Sequence, residues 1–390
     1  MKVLITTDWY YPVINGVVTS VLVLSKELKK RGHEVRILTL ARTSHSYEEE
    51  GVIYVGSIGV GCIYPEARFK LPISKKYVKK LLQWKPDIIH SQCEFSTFVL
   101  ARKIAEALNI PIVHTYHTVY EDYTHYFSPR KEWGKDIVQK ITKKLSSQVS
   151  VMIAPSDKIW RILQGYGVSC PVCVIPSGIE LSKYAKYRED GWREKIRKQY
   201  SISKETTVLL YVGRLAKEKN IEELLQYQKK AQNQGTILIL VGDGPCGNYL
   251  KEKAKVLEIE KSVIFTGMIR QEQVGKYYQA ADLFVSASTS ETQGMTYGEA
   301  LAGGIPLLCR KDDCLKGIIE EGKNGWQYES EREFLEIIER WREKSFIEKQ
   351  EICYMAQQSA GLFSASDFGK EVEKIYVQER ERWIHTAGFL

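Results

Sequence analysis

The sequence lacks any long hydrophobic run. The apolar stretch at residues 3–5 ends at Thr6, Thr7 and Asp8, so it is much shorter than the hydrophobic core of a signal peptide. Nowhere does the chain contain the roughly 20 consecutive apolar residues that a membrane-spanning helix needs. We therefore expect a cytoplasmic protein without a transmembrane segment.

The sequence also lacks the composition of a disordered chain and the cysteine spacing of a metal site. With 44% apolar and 27% charged residues, it has the balance of a soluble globular protein. Its 8 cysteines are scattered, as expected of reduced thiols in a cytosolic chain. Only Cys170 and Cys173 have the spacing of a zinc-binding pair, because Cys309 and Cys314 lie further apart. We therefore expect no metal cofactor.

What the chain does contain is a repeated pattern of a short strand followed by a helix. Strands are predicted at residues 3–7, 34–40, 87–90, 110–114 and 149–154, and, after a polar stretch, at 208–212, 236–241, 263–266, 283–286 and 305–308. Parallel strands need such helical crossovers. The predicted fold class is α/β with two Rossmann-like domains, at residues 1–182 and 183–365, and a terminal helix at 366–390.

Positive charge is concentrated in the first half of the chain. The net charge of +8 lies within residues 1–180, because basic and acidic residues balance in the remainder. At residues 130–144, the apolar positions Trp133, Ile137, Ile141 and Leu145 recur every four residues, while five lysines lie largely off that stripe: Lys131, Lys135, Lys140, Lys143 and Lys144. One interpretation is an ordinary helix with its stripe on the core and its lysines in solvent. The other is a surface for an anionic partner, either lipid headgroups or nucleic acid.

The second half carries motifs that directly follow predicted strands. Gly213 and Arg214 follow one strand, and Arg214 with Lys219 forms a pair of cations suited to a diphosphate. Further on, Glu291 and Glu299 lie on either side of Gly294, Met295 and Thr296. These three residues are predicted to lie at the N-terminus of a helix, where their backbone N–H groups would bind an anion. The structural alternatives are solvated surface cations, a solvated Glu291, and a Glu299 that interacts only with the helix dipole.

These motifs, in this order, resemble the retaining GT-B glycosyltransferases of family GT4. The resemblance extends from the loop at Gly16 to Gly325. It implies two facing Rossmann-like domains with parallel sheets, and a C-terminal helix that crosses back to the N-terminal domain. It also implies roles for single residues: Gly213, Arg214 and Lys219 at the donor diphosphate, Glu299 at the ribose, Glu291 with Gly294, Met295 and Thr296 at the transferred sugar, and Gly16 near the phosphates.

Residues 114–126, HTYHTVYEDYTHY, are rich in histidine and tyrosine and follow a predicted strand. His114 fits a structural role, and metal binding is disfavoured because no third ligand is evident. His117 followed by Thr118 resembles the active-centre His-Thr of related mannosyltransferases. The longer string resembles bacterial 1,2-diacylglycerol 3-glucosyltransferases, which implies a lipid acceptor beside Tyr120 and Tyr123.

The resemblance therefore implies transfer of glucose from UDP-glucose to 1,2-diacylglycerol with retention of the α configuration. His117, Arg214, Lys219 and Glu291 are the expected catalytic residues, and the two cations make a metal unnecessary. The basic helix is then expected to bind anionic lipids at the inner face of the cell membrane. A nucleic-acid partner is not expected, since no aromatic residues alternate with the cations. The alternatives are a UDP-galactose-dependent enzyme, a transferase that adds a second sugar, and a non-catalytic membrane-binding partner of a transferase.

Overall fold

The structure is a computed structural model that describes residues 1–13, 15–60, 67–72, 75–121, 131–185 and 191–387. Its strands are β1 (Lys2–Thr6), β2 (Glu34–Leu40), β3 (Tyr47–Glu49), β4 (Val52–Val55), β5 (Ser57–Gly59), β6 (Arg68–Lys70), β7 (Ile88–Ser91), β8 (Ile112–Thr115), β9 (Val151–Ala154), β10 (Val172–Val174), β11 (Thr207–Val212), β12 (Thr236–Val241), β13 (Val263–Gly267), β14 (Leu283–Ser286), β15 (Leu307–Arg310) and β16 (Gly325–Tyr328).

The α-helices lie between and after these strands. They are α1 (Gly16–Lys30), α2 (Lys75–Trp84), α3 (Ser96–Leu108), α4 (Lys131–Ser146), α5 (Asp157–Gly165), α6 (Ser182–Ala185), α7 (Trp192–Gln199), α8 (Ile221–Ala231), α9 (Gly247–Val256), α10 (Gln271–Ala280), α11 (Met295–Ala302), α12 (Glu331–Glu343), α13 (Phe346–Ser359) and α14 (Ala365–Ala387). The chain divides into two compact units, Met1–Gly178 with Ala365–Leu390 and Ile179–Ser364.

The first unit is built on an eight-stranded sheet in the order β10-β9-β8-β7-β1-β2-β4-β3. The pairs from β10 to β4 are parallel, and only β3 joins its neighbour β4 antiparallel. Strand β1 lies between β2 and β7, so the chain winds outward from the middle of the sheet in both directions. The carboxyl ends of β1, β7 and β8 therefore meet at one edge of the sheet, where ligands of such folds bind.

Helix α1 shows how the sequence sets the elements of this unit. Asn15 caps it, because its side-chain oxygen accepts a 2.9 Å hydrogen bond from the Val18 backbone N–H. Val21, Leu24 and Leu28 recur at helical spacing and are buried.

The C-terminal helix α14 belongs to the first unit and packs on α1. Gly369 permits this close approach, since a Cβ at that position would lie 2.7 Å from the Cβ of Glu27. Glu373 accepts from Arg31 at 3.2 Å and lies 2.7 Å from Nε2 of His33. The expected return of the terminal helix to the N-terminal domain is thus confirmed.

The second unit is built on a six-stranded parallel sheet in the order β13-β12-β11-β14-β15-β16. Every residue of β11 is buried, and its neighbouring side chains Leu209 and Leu210 enter two different apolar clusters. Both faces of the sheet are covered, which explains why the strand reads as a continuous apolar run. The prediction of α/β architecture with parallel sheets is confirmed in both units.

Candidate functional site

Two glycine-bearing loops meet at the carboxyl edge of the second sheet. Gly213 follows β11 and Gly242 follows β12, with φ values of 156° and 132°. A Cβ at Gly242 would lie 2.0 Å from the carbonyl oxygen of Gly213, so no side chain fits there. The loops are further joined by a 3.0 Å hydrogen bond from the Leu215 N–H to the Asp243 carbonyl. This edge therefore presents backbone, which a ligand can approach closely.

Lys219 and Glu291 form an ion pair beside these loops. Nζ of Lys219 lies 2.7 Å from Oε1 of Glu291, and the two side chains are 18% and 21% exposed. Burial acts to lower the pKa of Lys219, but Glu291, together with Tyr211 and Glu218, outweighs it and raises the pKa overall. The lysine is therefore a fixed cation at neutral pH. Lys219 and Glu291 were both predicted to bind the donor, and the structure brings them into direct contact.

Arg214 directly follows Gly213 at the same edge and is half-buried. Its backbone carbonyl accepts a 3.1 Å hydrogen bond from the hydroxyl of Tyr211, which holds the loop against the end of β11. The backbone that carries the Arg214 guanidinium is thus held in place by this hydrogen bond. Its assignment to the diphosphate stays a prediction.

Gly294 caps the N-terminus of helix α11 and adopts the left-handed conformation, with φ of 74°. A Cβ there would lie 2.2 Å from the ring of Tyr297, so glycine is required. Met295 and Thr296 follow as the first helical residues, where backbone N–H groups have no acceptor within the helix. The predicted placement of these groups at a helix N-terminus is what the structure shows.

Glu299 lies on the same helix and is only 9% exposed. Burial raises the pKa of its carboxyl group, while hydrogen bonds from Tyr184 and Tyr278 oppose the rise. The Tyr278 hydroxyl donates to Oε2 at 2.9 Å. Tyr278 was missed from the sequence because it belongs to α10, whose tyrosines read simply as apolar core residues.

In the first unit, His117 follows β8 and pairs with a residue that follows the adjacent strand β7. Nε2 of His117 lies 2.6 Å from Oε1 of Gln92. Burial and the neighbouring His114 lower the pKa of His117 to about 3, so the ring is neutral at physiological pH. Gln92 was not identified from the sequence. The signal that could have found it is its position directly after a buried strand.

Tyr120 is joined to a carboxylate that the sequence analysis also missed. Its hydroxyl donates to Glu94, whose other oxygen lies 3.3 Å from Nε2 of His114. Burial, followed by the charge of Glu94, raises the pKa of Tyr120 well above its usual value, so the phenol stays protonated. The ring also contacts Phe95 edge-on, with centroids 5.7 Å apart. The other predicted acceptor residue, Tyr123, lies outside the described residues.

His114 is fully buried, as expected of a structural histidine. Its ring packs edge-on against Phe98. Its Nδ1, however, has no hydrogen-bond partner among the described residues, so the ring is only half satisfied. Gly16, the predicted phosphate-loop residue, is the first residue of α1 and follows the capping Asn15.

Helix α4 exposes most of the apolar stripe that one interpretation had assigned to the core. Trp133, Ile137 and Ile141 are 56%, 47% and 50% exposed, whereas Leu145 is buried. A spacing of four residues rotates by about 40° per step around a helix, so a stripe of this length moves from solvent to core. The core face is instead formed by Val138, Thr142 and Leu145. The packing interpretation is thus wrong for three of the four residues.

The lysines of α4 differ in their surroundings. Lys135 forms an ion pair with Glu121 at 2.9 Å. Lys140, Lys143 and Lys144 are exposed and form no ion pair within the described ranges. The side chain of Lys131 is outside those ranges. We use the term α4 surface for Trp133, Ile137 and Ile141 with Lys140 and Lys144, which share one face of the helix.

Two kinds of feature are absent from the described residues. No helix there is long and apolar enough to cross a membrane. No group of three or more His, Cys, Asp or Glu side chains is arranged there to hold a metal ion.

Comparison with known proteins decides the family. The Glycosyltransferase Family 4 profile matches residues 14–183, and the Glycosyl transferases group 1 profile matches residues 192–358. The chain is 35% identical to an alpha-monoglucosyldiacylglycerol synthase of Streptococcus pneumoniae, covering 97% of this chain and 86% of the relative. The chain belongs to glycosyltransferase family 4. The family predicted from the motifs is therefore confirmed.

A second relative and a solved structure are also similar to this glycosyltransferase. An alpha-monoglucosyldiacylglycerol synthase of Acholeplasma laidlawii is 31% identical, with 97% of each chain covered. Among solved structures, Anabaena HepE in complex with UDP and glucose superposes with a TM-score of 0.76 at 20% identity, covering 97% of this chain and 100% of that one. This likeness establishes the GT-B fold of the glycosyltransferase.

Proposed function

We propose that this glycosyltransferase transfers glucose from UDP-glucose to 1,2-diacylglycerol with retention of the α configuration. Two alpha-monoglucosyldiacylglycerol synthases match it over 97% of its length, which supports this donor and acceptor. The structural observation that carries the lipid acceptor is the α4 surface, where three large apolar side chains and two lysines face solvent together. A soluble acceptor would not require such a face.

The donor site is assigned to the carboxyl edge of the second sheet. Arg214 and Lys219 bind the diphosphate there, and Glu299 accepts hydrogen bonds from the ribose hydroxyls. Glu291 and the N-terminus of α11 bind the transferred sugar. Because Gly213 and Gly242 have no side chains where the loops after β11 and β12 meet, part of the nucleotide can lie directly against the backbone there.

Charge stabilisation is the proposed source of rate acceleration. As the glycosidic bond breaks, negative charge grows on the leaving UDP, and fixed cations stabilise it without reorganisation. Lys219 is held for this role by Glu291, whose charge keeps the ammonium protonated. On the face of the sugar that the phosphate leaves, the acceptor oxygen bonds to the anomeric carbon and gives its proton to the departing phosphate, which retains the configuration. This scheme needs no metal ion.

The acceptor site is assigned to the first unit, at His117, Tyr120 and Tyr123. His117 is neutral and half-buried, so it can exchange a hydrogen bond with a hydroxyl group. Tyr120 presents an aromatic wall whose hydroxyl is already engaged by Glu94, which suits contact with glycerol and the first acyl carbons.

The α4 surface is the proposed membrane contact. Tryptophan and isoleucine side chains enter the boundary between headgroups and acyl chains, and lysines bind anionic headgroups at about 1 kcal/mol each. We therefore place the enzyme peripherally on the inner face of the cell membrane.

The decisive experiment identifies the product. The protein is incubated with UDP-glucose or UDP-galactose and vesicles that contain diacylglycerol, and the glycolipid is characterised by mass and by NMR of the anomeric proton. An α-glucosyl diacylglycerol supports the proposal. A galactolipid, a β-anomer, or a product formed only on a glycolipid acceptor would contradict it. Absence of both transfer and donor hydrolysis would favour the non-catalytic partner.

A further inference from the structure

Gln92 is held at the carboxyl edge of the first sheet by two strands. It is the first residue after β7, and its backbone N–H donates to the carbonyl of Thr6, at the end of β1, at 2.8 Å. The residue is only 2% exposed. Its side chain therefore has little freedom, and the group that it contacts is positioned by the sheet itself.

The contact between Gln92 and His117 determines which ring nitrogen carries the proton. Oε1 of Gln92 lies 2.6 Å from Nε2 of His117. A carbonyl oxygen only accepts hydrogen bonds, so Nε2 must donate. A neutral imidazole has a single N–H, and the ring is neutral because burial and the nearby His114 hold its pKa at about 3. The other nitrogen, Nδ1, is then left with a lone pair.

No group in the described part of the chain donates a hydrogen bond to that lone pair. His117 is half-buried, and its Nδ1 has no hydrogen-bond partner there and is not among the buried unpaired atoms. The Nε2 amide group of Gln92 is also without a partner and is buried. A buried amide that leaves both of its hydrogens unpaired is costly, so its orientation needs a reason.

We propose that Gln92 is a positioning residue for His117, whose imidazole proton it holds on Nε2 so that Nδ1 accepts a hydrogen bond from a substrate hydroxyl. This inference rests on the proposed function for the identity of that hydroxyl, which belongs either to the sugar of the donor or to the acceptor alcohol. The placement of the proton itself does not depend on which reaction the enzyme catalyses.

Of the other titratable groups near this pair, His114 lowers the pKa of His117, which keeps the ring neutral and leaves the tautomer to be set by hydrogen bonding. His90 on β7 is fully buried, and burial, with His114 and His117 as neighbours, lowers its pKa well below the usual value. The carboxylate of Glu94 is engaged by Tyr120 and His114. Asp8, after β1, accepts from the backbone of Ser96 and Thr97. A neutral carbonyl is thus the group that sets the tautomer.

The first test measures the tautomer directly. Ring nitrogens are labelled with 15N, and the His117 signals are assigned by comparison with His117→Asn. The expected spectrum of the full-length protein at neutral pH shows a protonated Nε2 and an unprotonated Nδ1. In Gln92→Met, which keeps the size but removes the carbonyl, the two tautomers should mix. A wild-type ring protonated on Nδ1 would overturn the inference, whatever the substrates prove to be.

The second test uses the pH dependence of activity. In Gln92→Glu, a carboxylate next to His117 favours the imidazolium and raises the pKa of His117. A neighbouring carboxylate raises such a pKa by about 1–3 units from its value of about 3. Below the raised pKa, Nδ1 carries a proton and no longer accepts, so kcat/KM should fall as pH falls below roughly 6. In wild type and in the surface control Gln273→Glu, kcat/KM should not fall in this pH range. A profile of folded Gln92→Glu parallel to that of wild type would contradict the inference.

A third measurement distinguishes the two sources of the hydroxyl. Gln92→Met is compared with wild type in donor hydrolysis without lipid and in transfer to diacylglycerol, with an expected loss of roughly 3- to 10-fold for one hydrogen bond. If the hydroxyl belongs to the donor, both reactions lose efficiency. If it belongs to the acceptor, only transfer does. Unchanged kinetics in both reactions would mean that Gln92 has no positioning role.

Discussion

Lys219 and Glu291 are 72 residues apart in the chain, yet their side chains form a 2.7 Å ion pair at the carboxyl edge of the second sheet. The pair joins the loop after β11 to the loop that precedes α11. It holds a cation in place before any substrate binds, and preorganised charge is what an enzyme needs to stabilise a leaving diphosphate.

Removal of this cation should abolish most activity. Lys219→Ala is expected to lower kcat by roughly 100-fold or more, because developing charge on UDP loses a fixed partner. The measurement is steady-state transfer with product quantified by mass. Lys217→Ala, which removes an exposed lysine from the same turn, is the matched control and should stay close to wild type. Near-normal turnover in the double variant Arg214→Ala/Lys219→Ala would refute the assignment of both cations.

Glu299→Ala should weaken donor binding more than it lowers kcat. Its carboxylate is assigned to the ribose, far from the bond that breaks, so its loss should raise the KM for the nucleotide sugar. Tyr278→Phe tests the support of this carboxylate. Since the hydrogen bond from Tyr278 opposes the effect of burial, its loss should raise the pKa of Glu299 further and weaken donor binding most at acid pH. A donor KM that is equally affected at all pH values would argue against this role of Tyr278.

The α4 surface should control attachment to vesicles. The triple variant Trp133→Ala/Ile137→Ala/Ile141→Ala is expected to reduce binding to anionic vesicles at least roughly tenfold, because its apolar area no longer enters the interface. Flotation or sedimentation with vesicles measures this. Phe346→Ala/Ile347→Ala, which removes two exposed apolar side chains from the second unit, is the control.

The lysines of the same surface should add an electrostatic contribution. Lys140→Ala/Lys144→Ala is expected to weaken binding and to reduce its sensitivity to salt, whereas the exposed Lys251→Ala should not. Binding that stays unchanged after loss of the lysines, or on addition of salt, would exclude electrostatic docking through α4.

The contact between His90 and Tyr376 should stabilise the first unit. The hydroxyl of Tyr376 on α14 lies 2.6 Å from Nδ1 of His90, and both residues are fully buried. Tyr376→Phe leaves that nitrogen unpaired and should cost about 1–2 kcal/mol of unfolding free energy, measured with urea. Tyr354→Phe, at an exposed position on α13, should cost nothing measurable. An equally stable Tyr376→Phe would show that the hydrogen bond contributes little.

Stability should also fall in acid because of the buried histidines. Burial lowers the pKa values of His90 and His117 below the usual value of 6.5, so the unfolded chain binds protons more readily than the folded one as pH falls below that value. The free energy of unfolding should therefore begin to decrease as pH falls through roughly 7 and should go on decreasing toward the folded pKa of His117, about 3. His90→Asn should show a shallower decrease. The same slope in both proteins would rule out a contribution from His90.

The architecture followed from local sequence because strand and helix patterns report burial directly. The apolar runs at β11 and β12 are continuous because both faces of the second sheet are covered. Gly213 and Gly242 follow these strands and Gly294 precedes α11, at positions where a side chain would collide with Tyr211, with the backbone of Gly213 and with Tyr297, respectively. The strand and helix patterns were enough to predict two Rossmann-like domains, and the resemblance of the motifs to family GT4 implied the GT-B fold.

The pairing of side chains could not be read in the same way. The ion pair of Lys219 with Glu291, and the contacts of Gln92 with His117 and of Glu94 with Tyr120, join residues from different strands or loops. The exposure of Trp133, Ile137 and Ile141 likewise depends on which side of α4 meets the core. Sequence by itself determined which elements form and which residues follow each strand, because hydrophobic period and backbone conformation are properties of short segments. Only the tertiary structure decided which side chains meet, since distances between strand ends and the rotation of a helix are set by packing across the whole unit.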